Sequence, residues 1–335
     1  MKRISLTLLV FAVVATAIFA GGAREAGTES FVIRVAYGTA GGPIHEAALE
    51  FERIIEAADP RIDVQVFPGG QLGSEGEVVG QLQAGTTDML PTTTGPLGQH
   101  NPIYYVLESP YVFLNERQAD RVLDGPIGQE FLAGLEEIGL IGLAFWENGF
   151  RQLTNNTRQV RRPQDLNGIR LRTQENRLHM SFFEGLGASP TPLPFTEVYN
   201  ALATGVVDGQ ENPFSLIATN NFYEQQRYLS RTDHVYSAVP VYFSAARWNR
   251  LPEDVQNLIA TTVYDLRLWQ RQRGRELEQE YISQIQQQTE VTILSDAEKA
   301  AFQQAGMATY NWGRERYGAA YGDLLDRVLA AAAEN

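Results

Sequence analysis

Between residues 31 and 92 the spacing of apolar residues changes repeatedly, and that alternation restricts the chain to a layered architecture. Apolar and polar residues alternate over 31–37, as in a half-buried strand. Ile44, Ala47, Ala48, Phe51, Ile54 and Ile55 then mark one face of a helix that Asp59-Pro60 ends. Ile62, Val64 and Val66 return to a period of two. Ser74 and Glu77 have the spacing of a capping box and open a helix to about Ala84, with a strand after it at 88–92. Each helix must bury its apolar stripe against a sheet, so strand–helix–strand–helix–strand predicts an α/β layer.

A second unit follows. Residues 115–137 predict two short helices broken at Gly125-Pro126, and 139–145 an apolar strand. Strands are then predicted at 169–173 and 206–210, with a helix over 177–186 and another opened by Phe195-Thr196-Glu197. Laid on residues 197–208, residues 77–88 match at Glu, Val, Leu, Gly and Asp. Gly85 and Gly205 both stand where a helix would end in a left-handed cap. A true repeat predicts two similar lobes, each with its own sheet; a chance likeness of two helix–Gly–strand units predicts nothing further. After residue 240, Pro252, Glu253 and Asp254 suit a first helical turn. Val255, Leu258, Ile259, Thr262, Leu266 and Trp269 follow, and Leu277, Tyr281 and Ile285 continue the pattern beyond a polar stretch at 270–276. A helix over 252–288 would be roughly 55 Å long and could run across two lobes. Residues 295–335 read as helical again.

Lys2 and Arg3 precede an apolar run from Ile4 to Phe19 with small residues around Ala20. The run falls short of the roughly 20 residues that span a membrane, and its flanks are those of a cleaved secretory signal. Residues 1–20 are assigned to the signal and 21–30 to a flexible leader. The chain of 335 residues, 44% hydrophobic and 20% charged, suffices for one large or two modest domains. With 27 basic against 40 acidic side chains, the net charge of −13 argues against nucleic acid as a partner. The absence of cysteine excludes disulfides, thiolate nucleophiles, Cys-based metal sites and a lipoprotein anchor. A soluble, periplasmic protein is expected.

Signatures of catalysis are missing. The four histidines, His45, His100, His179 and His234, lack metal-ligand spacing, and no GxSxG, P-loop, GxGxxG or HExxH occurs. A non-enzymatic protein without cofactor or metal is expected. The informative polar residues lie mid-chain. Arg151 follows Asn148-Gly149-Phe150, and Arg172 sits inside the strand at 169–173. A strand arginine is at least half buried and needs an anion, either an internal carboxylate or a ligand. Arg170 shares its face by the period of two and competes for the role.

Four segments, 165–172, 187–192, 195–202 and 205–213, the last reading Gly-Val-Val-Asp-Gly-Gln-Glu-Asn-Pro, resemble the solute-binding proteins of TRAP (tripartite ATP-independent periplasmic) transporters, in their C4-dicarboxylate-binding type. The segments 70–73 and 149–155, and Phe222-Tyr223-Glu224 with Asp233-His234, fit as well, so the likeness runs over about 31–325. The resemblance implies a two-lobed, periplasmic-binding-protein-like α/β fold with a central ligand cleft and a long helix bracing both lobes. Lobe I would comprise 31–148 and 238–277, lobe II 149–237 and 278–335. It further implies that Arg172 grips a ligand carboxylate, assisted by Arg151 and Asn212, with Phe195 near the ligand. Thr93, Glu75 and His45, on first-lobe loops, would read the ligand's remaining groups. The chain departs from the family in carrying Ile-Arg-Leu-Arg where a Lys is usual before the arginine. The implied partners are a small organic acid and the TRAP membrane subunits, with the protein itself a monomer. A sensor of the same fold and a secreted hydrolase on α/β lobes are the competing functions. Sugar acids, C4-dicarboxylates and 2-oxo acids all offer a carboxylate, with the sugar acids slightly favoured by the hydrogen-bonding types at 45, 75 and 93.

Overall fold

The computed structural model describes residues 30–334. The assigned signal peptide, and the leader up to residue 29, lie outside the described residues. Among the described residues ten strands are laid down in the order β1 (Phe31–Ala36), β2 (Ile62–Phe67), β3 (Met89–Pro91), β4 (Leu140–Asn155), β5 (Arg170–Thr173), β6 (Ser189–Pro192), β7 (Gly209–Pro213), β8 (Tyr228–Arg231), β9 (Tyr236–Ser244) and β10 (Glu290–Ile293). They form two sheets that share β4. The first runs β2-β1-β3-β9-β4, the second β10-β8-β4-β7-β5-β6. Strands β1, β2 and β3 are mutually parallel, as are β5, β6 and β7, and β9 and β4 run against their neighbours.

The repeat in the sequence is a repeat in space. Helix Glu75–Ala84 leads through Gly85 (φ 73°) into β3, and helix Val198–Ala203 leads through Gly205 (φ 69°) into β7. Both glycines take the left-handed conformation that a Cβ would strain. The matched aspartates do the same work. Asp88 Oδ2 accepts the backbone N–H of Arg34 beside β3, and Asp208 Oδ2 that of Arg170 beside β7, each at 2.9 Å. Strand β7 begins at Gly209 rather than at the predicted 206 because the N–H groups of Val206 and Val207 still bond back to the Ala201 carbonyl of the helix.

Strand β4 is 16 residues long and passes from one sheet into the other, where an interruption after Phe145 was expected. The apolar run breaks where the pairing of β4 with β9 shifts register between Glu147 and Gly149, leaving Asn148 as an extra residue. A helix of 33 residues, Glu253–Ile285, lies along this crossing. Its first half buries Val255, Ile259, Val263 and Leu266 in the first lobe's core, and its end buries Tyr281, Ile282 and Ile285 in the second's. In the polar stretch between these, Gln270 and Arg271 are buried too. The Gln270 amide accepts from Glu147 N (2.9 Å) and donates to Glu147 O (2.7 Å), satisfying the backbone where the ladder fails. Arg275 and Tyr236 hold the Glu147 carboxylate.

The lobe boundaries need one correction. The last helix, Ala319–Ala333, packs on the first lobe, with Tyr321, Leu324, Leu325 and Val328 in its core and Arg121 donating to the carbonyls of Ala331 and Ala332. Its apolar spacing announces a buried face without saying which lobe covers it. The preceding helix, Asp296–Tyr317, buries Phe302 in the second lobe, while Tyr310, Trp312 and Tyr317 pack against the first.

Candidate ligand-binding cleft

The C-terminal ends of the parallel strands of both lobes converge on one pocket. Such ends are where open α/β sheets hold ligands, because loops and helix starts expose polar groups there. From the first lobe come Gly38 and Thr39 after β1, Glu75 at the start of its helix, and Thr92 and Thr93 after β3. The second lobe gives Arg172 on β5, Gln174 after it, Phe195, and Asn212 on β7. Asn148 and Arg151 come from the crossing strand β4.

The three mid-chain arginines separate by partner. Arg170 is exposed and bound to Asp208 (Nη2–Oδ1 2.6 Å, Nε–Oδ2 3.1 Å). It shares the face of Arg172 but lies two residues back towards the start of β5, so it does not enter the cleft. Arg151 is fully buried and forked onto Glu211, with Nη2–Oε1 at 2.9 Å and Nε on Oε2. Its Nη2 also donates to the Glu211 carbonyl (2.6 Å) and to Asn212 Oδ1 (3.0 Å). Burial alone would raise the Glu211 carboxyl, but Arg151 and the His234 ring nitrogen at 3.0 Å outweigh it and hold it well below the usual range. Arg172 is equally buried, at 2% exposure, yet no carboxylate lies within 4.0 Å of it among the described residues. Its Nε and Nη2 donate only to the Leu193 carbonyl (3.0 and 2.6 Å). Burial, and then repulsion from Arg151, draw it down to about 10. The cleft thus holds one cation whose charge is matched and one whose charge is not.

Around these groups the lining is neutral apart from Glu75. Asn212 donates to Gln210 Oε1 (2.6 Å), which fixes its amide with the oxygen on Arg151. Thr93 Oγ1 donates to Gln174 Oε1 (3.0 Å), a bond from one lobe to the other. Gln174 is oriented in turn by Glu108, which accepts from its Nε2 (2.8 Å) and whose carboxyl burial pushes up to about 7. Glu75 Oε1 accepts from Thr92 Oγ1. Burial raises its carboxyl, partly offset by the Thr92 hydroxyl and by the fields of Arg172 and Arg151. Phe195 is half buried, its ring packed on Phe222 at 5.7 Å. The lobes meet beside it: a Cβ on Gly70 (φ 72°) would lie 2.4 Å from Thr196 Cγ2.

Six of the seven residues singled out from the sequence therefore line one pocket: Arg172, Arg151, Asn212, Phe195, Thr93 and Glu75. His45 does not. Pro43 starts a helix before it, so His45 is helical rather than on a loop, and its Nδ1 lies 2.6 Å from the Tyr37 hydroxyl. Sequence reasoning missed Asn148, Gln174 and Glu211. Glu211 carried a usable signal, a carboxylate beside Asn212 inside the motif at 205–213. Asn148 and Gln174 carried none, since nothing local announces a bulge or a side chain bridging two lobes.

A family model described as DctP, bacterial extracellular solute-binding protein, family 7, matches residues 35–315. The chain belongs to this family, the solute-binding proteins of TRAP transporters. This solute-binding protein is 31% identical over 262 residues to the 2,3-diketo-L-gulonate-binding periplasmic protein of Escherichia coli, covering 78% of this chain and 80% of that one. Its fold matches the sugar acid binding protein of Advenella mimigardefordensis in complex with galactonate, with a TM-score of 0.87 and 33% identity over 91% of this chain and 98% of the other. It also matches a TRAP solute-binding protein of Sulfurospirillum deleyianum with bound succinate, with a TM-score of 0.86 and 27% identity over 90% and 99% of the two chains. The two-lobed fold expected of a TRAP solute-binding protein is thus the observed one.

Proposed function

We propose that the protein captures a small carboxylate between its lobes outside the cytoplasm and delivers it to an ion-gradient-driven TRAP membrane complex. The observation that carries this reading is Arg172, buried in the cleft with no carboxylate beside it. A desolvated guanidinium without a counter-ion is costly, and its planar fork matches a carboxylate in two parallel hydrogen bonds. Arg151 adds positive field at the same end of the pocket, already balanced by Glu211. Asn212, held by Arg151, presents its amide to the same carboxylate. Phe195 covers one side of the ligand, and Thr93, Glu75 and Gln174 meet its other polar groups.

Binding on one lobe and closure by the other make the capture selective for the closed form, because contacts such as Thr93–Gln174 exist only when the lobes meet. The chain is exported by a cleaved signal at 1–20 and works as a monomeric carrier rather than as an enzyme. A thermal-shift screen of the mature chain against aldonates, uronates, C4-dicarboxylates and 2-oxo acids tests the reading. A ligand at 100 times its Kd adds about 2.7 kcal/mol of stability, so the cognate acid raises Tm by several degrees. A panel in which no carboxylate shifts Tm would overturn it.

A further inference from the structure

The pocket is electrically asymmetric, and that asymmetry speaks to which carboxylates it takes. With Arg151 spent on Glu211, the lining offers a single unmatched cation, Arg172 from the second lobe, and a single carboxylate, Glu75 from the first. Glu75 lies more than 4.0 Å from either arginine, so the two opposite charges face the pocket without pairing. The remaining polar lining residues, Thr39, Thr92, Thr93, Asn148, Gln174 and Asn212, are all neutral. Glu75 is also underused: Thr92 donates to Oε1, and no donor among the described residues reaches Oε2. Gly38 leaves its face open. A Cβ there would sit 3.4 Å from both Glu75 Oε1 and Phe195 Cδ1, so the carboxylate and the aromatic ring converge on the same corner.

A ligand held by Arg172 therefore brings its far end to a half-buried carboxylate that needs a donor. A hydroxyl supplies one, in a charge-assisted O–H···O⁻ bond. A second ligand carboxylate supplies none; it would face Glu75 as a like charge in a desolvated pocket with no second free cation to receive it. We infer that Glu75 makes this cleft a reader of polyhydroxylated monocarboxylates, accepting a hydroxyl of the ligand chain and excluding unbranched dicarboxylates. The inference rests on the carboxylate-capture reading and narrows it. It also gives closure a driving contact, since one ligand joins Arg172 of one lobe to Glu75 of the other.

Erythronate and succinate form the decisive pair, because each has four carbons and they differ in whether the far end donates or is charged. Calorimetry on the mature full chain at near-neutral pH is expected to show erythronate or a longer aldonate bound about tenfold or more tighter than succinate, as one hydrogen bond to a charged group predicts. Glu75→Gln removes the charge at constant shape and is expected to narrow that ratio about tenfold, weakening the aldonate and strengthening succinate. Glu75→Asp keeps the charge but withdraws it, so it loses aldonate affinity while still excluding succinate. Succinate binding as tightly as the aldonates, or a ratio that Glu75→Gln leaves unchanged, overturns the inference. If the wild type prefers an acid without hydroxyls, this inference fails and carboxylate capture stands; if no acid binds, both fail.

Discussion

Arg151 and Arg172 are the same residue type on β4 and β5 of one sheet, with β7 between them, and they differ in what removing each would do. Arg151 neutralises Glu211, so Arg151→Met strands a buried carboxylate and is expected to cost roughly 3–5 kcal/mol of folding stability. Arg172 has no internal carboxylate to strand. Arg172→Met is therefore expected to leave the ligand-free protein as stable as the wild type or more so, while weakening carboxylate binding by about a hundredfold or more. Chemical denaturation and calorimetry on both variants check this, and a destabilised Arg172→Met with intact binding would reverse the assignment. From sequence, all three arginines were candidates with an internal salt bridge as the competing explanation. Two of them have that salt bridge. What separates them is Glu211 and Asp208, lying 60 and 38 residues away, and no local pattern reports such a distance.

At the scale of elements, the parts that repeat a period were legible and the parts that cross between lobes were not. The helices and the left-handed glycines at 85 and 205 follow from apolar spacing and capping chemistry that act within a few residues. The expected strand at 139–145 is shorter than β4 because polar Glu147 and Asn148 end its apolar run, and they stand where a bulge turns the backbone towards polar partners. Those partners sit on the long helix at Gln270 and Arg275, in the stretch whose polarity interrupts the helix's own apolar face. Two apparent defects in pattern thus explain each other. Replacing Gln270 with Leu leaves the N–H and C=O of Glu147 buried without partners, at roughly 1–3 kcal/mol each. Loss of stability in denaturant, with faster amide exchange confined to 147–149, is the expected outcome. An unchanged exchange profile would mean that the helix holds the strand by packing alone.

The molecule as a whole is two sheets joined by a strand and a helix that both lobes share, closed over the cleft. Closure brings Gly70 against Thr196, where there is no room for a Cβ. Gly70→Ala is expected to weaken ligand binding by about tenfold or more, from the overlap together with the strain of a positive φ. Thr196→Ala removes the offending methyl and is expected to restore part of that affinity in the double variant. Small-angle scattering with ligand present should show the single variant held open and the double variant compact; an equally compact single variant would show that the loop simply yields. The sheet order, the placement of the last helix and the bond from Thr93 to Gln174 belong to this scale too. They were out of reach of periodicity, which says that a face is buried and is silent about the partner.

The last helix has a consequence for how the chain is completed. Val328 and Ala332 fill the core of the lobe that begins at Phe31, so the first lobe's apolar interior stays uncapped until residues 319–333 have been made. The second lobe, begun later, has its last helix in place once residue 317 has been made. Domains fold as units once their residues are present. The lobe made first is therefore finished last, and truncating the final turns would expose a greasy seam on the half of the protein farthest from them in the chain.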